Sequence, residues 1–142
     1  MTIQIVNKDL FTVPHEYYLA HCISDDFALG AGIAKQFNSK YNMRFKLENR
    51  YGDTGKSYIG TALLIDNVFN LVTKERYWHK PTYTTLKAAL ICMRDIMESV
   101  GIKKIAMPKI GCGLDKLEWD KVYNIICDVF ADCDVEILIC EI

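Results

Sequence analysis

The chain contains a short apolar segment that runs into a glycine-rich turn and then into a helical pattern. Residues 104–107 predict a strand, and Gly111 and Gly113 follow it. Glycines let the backbone turn sharply and bring its N–H groups close to a ligand. A helix N-terminus behind such a turn adds the positive end of its dipole. The segment therefore predicts a strand–loop–helix unit that binds an anion, with Asp115 at the rim of the loop.

The composition is typical of one folded domain. The 142 residues are 51% hydrophobic and 25% charged, which allows a sizeable core and argues against disorder. The net charge of −1 lacks the basic excess of proteins that coat nucleic acid. The N-terminal stretch lacks the pattern of a signal peptide, and no apolar run approaches about 20 residues, so we expect neither a signal peptide nor a transmembrane helix. We expect one domain over residues 1–142, a monomer without membrane association, located in the cytoplasm (or also the nucleus in a eukaryote).

The cysteine and histidine spacings argue against a metal site. None of the six cysteines forms a CxxC pair, and most lie in apolar segments, so we expect reduced thiols that pack as small hydrophobic side chains. The three histidines have no spacing typical of zinc ligands. We therefore expect neither a metal nor an organic cofactor.

Strand and helix patterns alternate along the chain, which predicts an α/β fold with a mixed sheet. The predicted strands cover residues 3–6, 18–23, 59–65, 68–73, 104–107 and 135–140. The predicted helices begin at residue 33 and cover 43–50, 84–100 and 117–130. Ligands of such sheets bind outside the carboxyl ends of the strands. The loops after residues 23, 73 and 107 should meet at that edge.

Three groups of residues together resemble the macrodomain family, which binds ADP-ribose. They are His21–Ser24 with Gly30–Ile33, Val72–Lys74 with His79–Tyr83, and Met107–Asp115. The chain looks most like the branch of terminal ADP-ribose protein glycohydrolases, whose relatives include antitoxins that remove ADP-ribose from DNA. The resemblance covers nearly the whole chain and implies a three-layer α/β/α sandwich with about six strands in a mixed sheet.

The resemblance implies two catalytic residues, Lys74 and Asp115. A lysine amine that has lost its proton can attack the anomeric carbon of the distal ribose and form a Schiff base after ring opening. Asp115 would then act as the general base that helps to release the sugar. The residues alone leave other interpretations open: Lys74 as a solvated charge, and Asp115 as the N-cap of a capping box with Glu118.

The resemblance also implies how the ligand is held. Asp9 would accept a hydrogen bond from the adenine amino group, with Leu10 supporting the ring and Ile142 walling the pocket. In the usual family pattern a glycine precedes this aspartate, whereas Lys8 stands here. The two glycine turns would clamp the diphosphate. The expected ligand-binding residues are Asp9, Leu10, His21, Ser24, Gly30, Gly32, Ile33, Pro108, Lys109, Ile110, Gly111, Cys112, Gly113, Leu114 and Ile142.

Several of these residues have structural alternatives. Asp9 would simply start a turn, His21 would be a hydrogen-bonded core residue, and Ser24 would cap a turn. Cys112 lacks a paired histidine base, which favours a small residue that presents its backbone over a nucleophile. Residues 78–83 form either a surface loop or a lid over the distal ribose.

The expected function is that of an ADP-ribosyl hydrolase. It would remove ADP-ribose from acidic side chains or nucleobases through a covalent lysyl intermediate, and its partners would be ADP-ribose and ADP-ribosylated protein or nucleic acid. The alternatives are a non-catalytic ADP-ribose-binding module, an O-acetyl-ADP-ribose deacetylase and a hydrolase of ADP-ribose phosphate esters.

Overall fold

Six strands form one mixed sheet in the computed structural model, which describes all 142 residues. The strands are β1 (Thr2–Asn7), β2 (Tyr18–Ser24), β3 (Ala62–Ile65), β4 (Val68–Lys74), β5 (Lys104–Met107) and β6 (Glu136–Glu141). The helices are α1 (Gly32–Tyr41), α2 (Met43–Tyr51), α3 (Tyr83–Val100) and α4 (Trp119–Phe130), with a 3₁₀ turn at Leu10–Thr12. This arrangement confirms the predicted α/β class. None of the helices is long and apolar enough to cross a membrane.

The sheet has the strand order β1-β6-β5-β2-β4-β3. All neighbouring strands run parallel except β3, which pairs antiparallel with β4. The predicted hairpin turn joins these two strands, and its Asp66 takes a left-handed conformation with φ 55°, which Asp tolerates better than most residues. The five parallel strands therefore present their carboxyl ends at a single edge.

Helices cover both faces of the sheet because successive strand residues point to opposite sides. In β5, Ile105 and Met107 join the core under α3 and α4, whereas Ala106 joins the core under α1 and α2. Leu90 of α3 and Phe37 of α1 are fully buried on these two faces. The result is the predicted three-layer sandwich.

The start of α4 differs from the prediction. The helix begins at Trp119 rather than at residue 117, because the Leu117 backbone N–H donates to the Gly111 carbonyl at 2.7 Å and holds Leu117 in the preceding loop. The residue before the helix is Glu118, which makes no side-chain capping bond. The capping-box alternative for Asp115 is therefore wrong, and this carboxylate is free for another partner.

The strands next to the site are also longer than predicted at their carboxyl ends. β2 extends to Ser24 and β4 to Lys74, which face each other across a β-bulge after Ile23. The predicted strand from residue 59 begins only at Ala62, since Gly60 has a φ of 83° that a strand does not accommodate. Lys74 is thus fixed by the strand ladder rather than carried on a loop.

Candidate active site

Loops that follow four parallel strands lie at the carboxyl edge of the sheet, and the space between them is here called the groove. They are the β1 loop (residues 8–17), the β2 loop (25–31), the β4 loop (75–82) and the β5 loop (108–118). These loops carry most of the residues expected to bind a ligand. Their order across the edge follows the strand order, so the β5 and β2 loops lie at the centre and the β1 loop lies at one end.

Lys74 and Asp115 form an ion pair at the centre of this edge. Lys74 Nζ lies 2.5 Å from Asp115 Oδ1, and the two side chains are only 13% and 15% exposed. The backbone of Lys74 is held as well, because its carbonyl accepts a hydrogen bond from the Asp25 N–H at 2.8 Å. The fold thus brings together two predicted catalytic residues that are 41 positions apart in the sequence.

The thiols beside this pair are not activated. Burial raises the pKa of Cys22 to about 12, and the charge of Asp115 adds to the shift while Lys74 opposes it. Burial also raises the pKa of Cys112, against a lowering by Lys109. Since a thiolate is the reactive form, neither cysteine is a nucleophile at neutral pH. The raised pKa therefore argues against Cys112 as a nucleophile.

The glycines of the β5 loop have different roles. Gly111 has a φ of 73°, and a Cβ added there would lie 2.9 Å from Leu117 Cδ1, so the fold itself requires glycine. A Cβ on Gly113 would meet nothing within 4 Å, and its φ is ordinary. Gly113 is exposed. The fold therefore does not need glycine at position 113, whereas a ligand that approaches the backbone closely would.

The β2 and β5 loops face each other across the groove. A Cβ on Gly32 would lie 3.5 Å from Leu114 Cδ1, which places the start of α1 against the β5 loop. The N-cap residue of α1 is Ala31, which supplies no side-chain acceptor, so the first N–H groups of this helix are available to an anion. The second helix dipole expected directly behind Gly113 is displaced, because α4 begins only at Trp119.

The predicted adenine-binding residues lie together at the β1 end of the edge. Asp9 is exposed and caps the 3₁₀ turn through a 3.0 Å bond from the Phe11 N–H to Oδ1. Leu10 is buried beneath it. Ile142 follows β6, the neighbour of β1, and is 91% exposed. A planar group could therefore contact Asp9 and Ile142 from the solvent side.

The remaining predicted residues of the β5 loop support its shape. Lys109 Nζ bonds Glu141 Oε2 at 2.7 Å and ties the loop to the end of β6. Ile110 is buried, whereas Pro108 and Ile33 of α1 are half-buried. Ile110 can therefore offer only its backbone to a ligand, and Lys109 is positioned mainly by its ion pair.

His21 is better explained as a hydrogen-bonded core residue than as a ligand-binding residue. Its side chain is completely buried, stacks on Phe37 with ring centres 3.9 Å apart, and bonds Asn70 Oδ1 through Nε2 at 2.6 Å. Burial lowers the pKa of His21 to about 4, only partly offset by the bond to Asn70. A residue with no exposed surface cannot contact a ligand in this conformation.

Asp26 organises the site, although it was not among the predicted residues. Its carboxylate accepts bonds from the Ser24 hydroxyl at 2.5 Å, from the Ala28 N–H at 3.2 Å and from the Tyr77 N–H at 3.0 Å. Burial raises the pKa of Asp26, but these three bonds outweigh it and lower the pKa overall. Ser24 is buried, and its hydroxyl is used in the bond to Asp26. The available signal was the pair of adjacent aspartates, Asp25 and Asp26, that follows Ser24 just after the predicted strand.

A comparison with known families identifies the fold. The family model described as Macro domain matches residues 20–126. The chain belongs to the macro domain family. The match includes most of β2, the β2 loop, Lys74 and the whole β5 loop, whereas the β1 loop and Ile142 lie outside it.

Individual relatives extend this macro domain assignment over the rest of the chain. The human protein named ADP-ribose glycohydrolase OARD1 is 39% identical over 139 residues, which are 96% of this chain and 90% of that protein. The Mycobacterium tuberculosis protein named DNA ADP-ribosyl glycohydrolase is 26% identical over 121 residues, which cover 34% of its length. The structure of the macrodomain of M. tuberculosis DarG superposes with a TM-score of 0.88 at 23% identity, covering 99% of this chain and 98% of that one.

The macro domain groove offers an amine, a carboxylate and free backbone donors. The Lys74 amine and the Asp115 carboxylate can exchange a proton directly across 2.5 Å. The exposed backbone of the Gly113 turn and the first turn of α1 can hold an anion. No three His, Cys, Asp or Glu side chains cluster in a way that could hold a metal ion.

Proposed function

We propose that this macro domain is an ADP-ribosyl hydrolase that releases ADP-ribose through a covalent adduct with Lys74. The observation that carries the proposal is the contact of 2.5 Å between Lys74 and Asp115, two largely buried groups at the edge where ligands of such sheets bind. The 39% identity with a protein named ADP-ribose glycohydrolase supports the same chemistry.

In this proposal ADP-ribose lies along the edge in one orientation, with its adenine at the residues that the family resemblance implies. The adenosine end lies by Asp9 and Ile142, at β1 and β6. The diphosphate lies between Gly113 and the first turn of α1, where exposed N–H groups and the helix dipole stabilise negative charge. The distal ribose then lies at the end of β4, with its anomeric carbon near Lys74. The group to which ADP-ribose is attached lies beyond, toward the β4 loop.

The first chemical step transfers the sugar to the enzyme. Asp115 accepts a proton from the Lys74 ammonium, which frees the lone pair of the amine. The nitrogen forms a bond to the anomeric carbon while the bond from that carbon to the acceptor breaks, and the acceptor leaves with the electron pair. The nitrogen then passes a proton to the ring oxygen as the ring opens, which leaves a protonated Schiff base.

The second step returns the enzyme to its resting state. Asp115 directs a water molecule to the carbon of the Schiff base, the C–N bond breaks, and Lys74 regains its proton. The net reaction consumes one water and yields ADP-ribose and the free acceptor. A glutamate or aspartate acceptor leaves as a carboxylate, so Asp115 first gives the proton it took from Lys74 to solvent, and the net reaction also releases one proton. A nucleobase nitrogen needs a proton on leaving, and Asp115 carries one after the first transfer. The same pair therefore serves both acceptor classes.

A purely structural ion pair is a weaker explanation. Burying two charges costs desolvation energy that their attraction barely repays, so such a pair contributes little net stability. The fold nevertheless places this pair at the open end of the sheet. A non-catalytic binding module would have no use for an amine that faces the distal sugar.

A trapping experiment tests the covalent route. The Asp115→Ala variant is incubated with a peptide ADP-ribosylated on glutamate and examined by intact-protein mass spectrometry. We expect a mass increase of one ADP-ribosyl group, because without the base the adduct forms slowly but is released more slowly still. The increase should be absent from the double variant Asp115→Ala/Lys74→Ala. A folded Asp115→Ala variant without any adduct would refute the covalent intermediate.

The ion pair of Lys46 and Asp66 provides a matched control. Its atoms are 2.6 Å apart, but the side chains are 39% and 49% exposed and lie on α2 and the hairpin turn. Asp66→Ala should turn over the substrate at the wild-type rate and accumulate no adduct. Turnover of O-acetyl-ADP-ribose or of ADP-ribose phosphate ester, without turnover of the peptide, would instead identify a hydrolase of small esters.

A further inference from the structure

The β4 loop presents two aromatic side chains to solvent directly beyond the catalytic lysine. Tyr77 and Trp78, here called the aromatic pair, are 63% and 65% exposed, and their ring centres lie 5.0 Å apart at 87°. Large aromatic side chains are usually much more buried, because each removes a large apolar area from water when it packs. Neither the fold nor the proposed hydrolysis explains why both remain outside.

The aromatic pair is held in place rather than left on a loose loop. The His79 N–H donates to the Arg76 carbonyl at 3.0 Å, which closes a turn with the pair at its tip. The Tyr77 N–H is bonded to Asp26, which fixes the turn to the β2 loop. At the other end, Pro81 is buried and Thr82 caps α3 through a capping box. The backbone that carries the two exposed rings is therefore held in one conformation.

The aromatic pair lies on the side of Lys74 where the group attached to ADP-ribose is expected. In the proposed orientation, adenosine lies over β1 and β6, the diphosphate over β5 and β2, and the distal ribose at the end of β4. The next structure along this direction is the β4 loop. Since Tyr77 follows Lys74 by only three positions, we expect a group attached to the anomeric carbon to reach the aromatic pair.

The charges around the aromatic pair favour nucleic acid as the acceptor. Arg76, His79 and Lys80 flank the rings and are all exposed, whereas Glu75 is the single carboxylate of the loop. Aromatic faces interleaved with basic side chains are typical of single-strand binding surfaces, where bases stack on the rings and phosphates contact the cations. A glutamate acceptor on a protein offers no planar ring to stack.

We infer that Tyr77 and Trp78 form a stacking subsite for the nucleobase of an ADP-ribosylated single-stranded nucleic acid. The inference rests on the proposed function for the orientation of the substrate. The pair binds either the modified base or its neighbour, while Arg76 and Lys80 contact the flanking phosphates. The subsite would favour nucleic acid conjugates over protein conjugates without any change in the chemistry at Lys74.

A comparison of two substrates tests the subsite. Wild type, Tyr77→Ala/Trp78→Ala and Trp78→Phe are assayed on a single-stranded DNA oligonucleotide ADP-ribosylated on one base and on a peptide ADP-ribosylated on glutamate. We expect kcat/KM of the double variant to fall about tenfold or more on the oligonucleotide, in line with the loss of base stacking, and to change less than about twofold on the peptide. Trp78→Phe should retain most of the activity on the oligonucleotide.

Phe45→Ala is the matched control, since Phe45 is 62% exposed on α2, outside the groove loops. It should leave both rates unchanged. Equal losses of the double variant on both substrates would indicate a lid over the ribose and overturn the inference. A loss confined to the peptide would indicate a protein-binding surface, and unchanged rates would show that the pair has no role.

A binding measurement separates this inference from the proposed function. The double substitution is placed in a Lys74→Ala background, and fluorescence anisotropy measures the affinity for the labelled oligonucleotide without turnover. A loss of affinity of about tenfold relative to Lys74→Ala alone supports the stacking subsite even if the covalent route fails. Equal affinities would overturn it even if hydrolysis proceeds as proposed.

Discussion

Strand β4 carries two polar residues that form close pairs in opposite surroundings. Asn70 bonds His21 at 2.6 Å in the sealed core, and both residues are completely buried. Lys74, at the end of the same strand, bonds Asp115 at 2.5 Å with about a seventh of each side chain exposed. The inner pair is neutral and surrounded by core side chains, whereas the outer pair is charged and opens to the groove.

The difference shows how polar groups are tolerated at two depths. Asn70 is further satisfied by the Leu63 carbonyl, to which its amide donates at 3.1 Å, so the inner pair gives the core a fixed arrangement. The outer pair has no comparable set of partners among core groups, and its charges remain reachable. We therefore expect substitutions in the outer pair to remove activity and changes in the inner pair to affect stability.

The largest expected effect concerns activity and the outer pair. Lys74→Ala should reduce the release of ADP-ribose from an ADP-ribosylated peptide by on the order of 10³-fold, because the nucleophile is lost. The affinity for free ADP-ribose, measured by isothermal titration calorimetry, should change much less. Lys46→Ala should keep full activity. If Lys74→Ala remained active, the outer pair would be as structural as the inner one.

The second effect concerns pH and the inner pair. Because burial lowers the pKa of folded His21 from 6.5 to about 4, the unfolded chain binds an extra proton between these values, and stability falls as the pH decreases. The free energy of unfolding should drop by about 3 kcal/mol between pH 7 and pH 4 from this residue. Urea unfolding at several pH values measures the change.

A variant without the titrating group isolates this contribution. His21→Gln keeps a polar partner for Asn70 and should show a flatter dependence between pH 6.5 and 4, although its stability at pH 7 is lower. The Asp26 carboxylate, whose pKa is lowered, contributes mainly below this range. Identical pH profiles for His21→Gln and wild type would contradict the assignment of His21 to the sealed core.

The smallest expected effect is on stability when the outer pair is replaced as a whole. Lys74→Met combined with Asp115→Leu should leave the free energy of unfolding within about 1 kcal/mol of wild type, since apolar pairs often replace buried ion pairs without loss. Each single substitution should be less stable, because it leaves one charge unpaired. A double variant that is much less stable than either single one would give the ion pair a structural role.

The periodic parts of the fold were predictable from the sequence. Strand β5 was predicted with its exact bounds, and α3 to within one residue, because alternating and helical apolar patterns determine which face of each element is buried. The meeting of the groove loops followed from the rule that parallel strands end at one edge. The choice of Lys74 and Asp115 as catalytic residues came from the resemblance to the macrodomain family, not from local patterns, and their direct ion pair was not predicted.

The errors arose where a distant partner overrides a local signal. Asp115 and Glu118 fit a capping box in the sequence. In the structure the Asp115 carboxylate is paired with Lys74, and α4 begins only at Trp119. Asp26 was missed because its role depends on a hydrogen bond from Tyr77, which lies 51 positions away. Sequence spacing does not encode such contacts, so neither the anchoring of the aromatic pair nor the burial of His21 could be decided in advance.

The topology of the sheet has a consequence for how the protein folds and moves. Edge strand β1 has no buried residue, and its single strand neighbour is β6, whose residues lie at the opposite end of the sequence. Closing such a long loop is entropically costly and slow, so β1 should dock late, after β6 has joined β5. A strand that docks late and is held mainly by its backbone ladder also opens most readily. We therefore expect the end of the groove beside β1 to open locally more often than its middle.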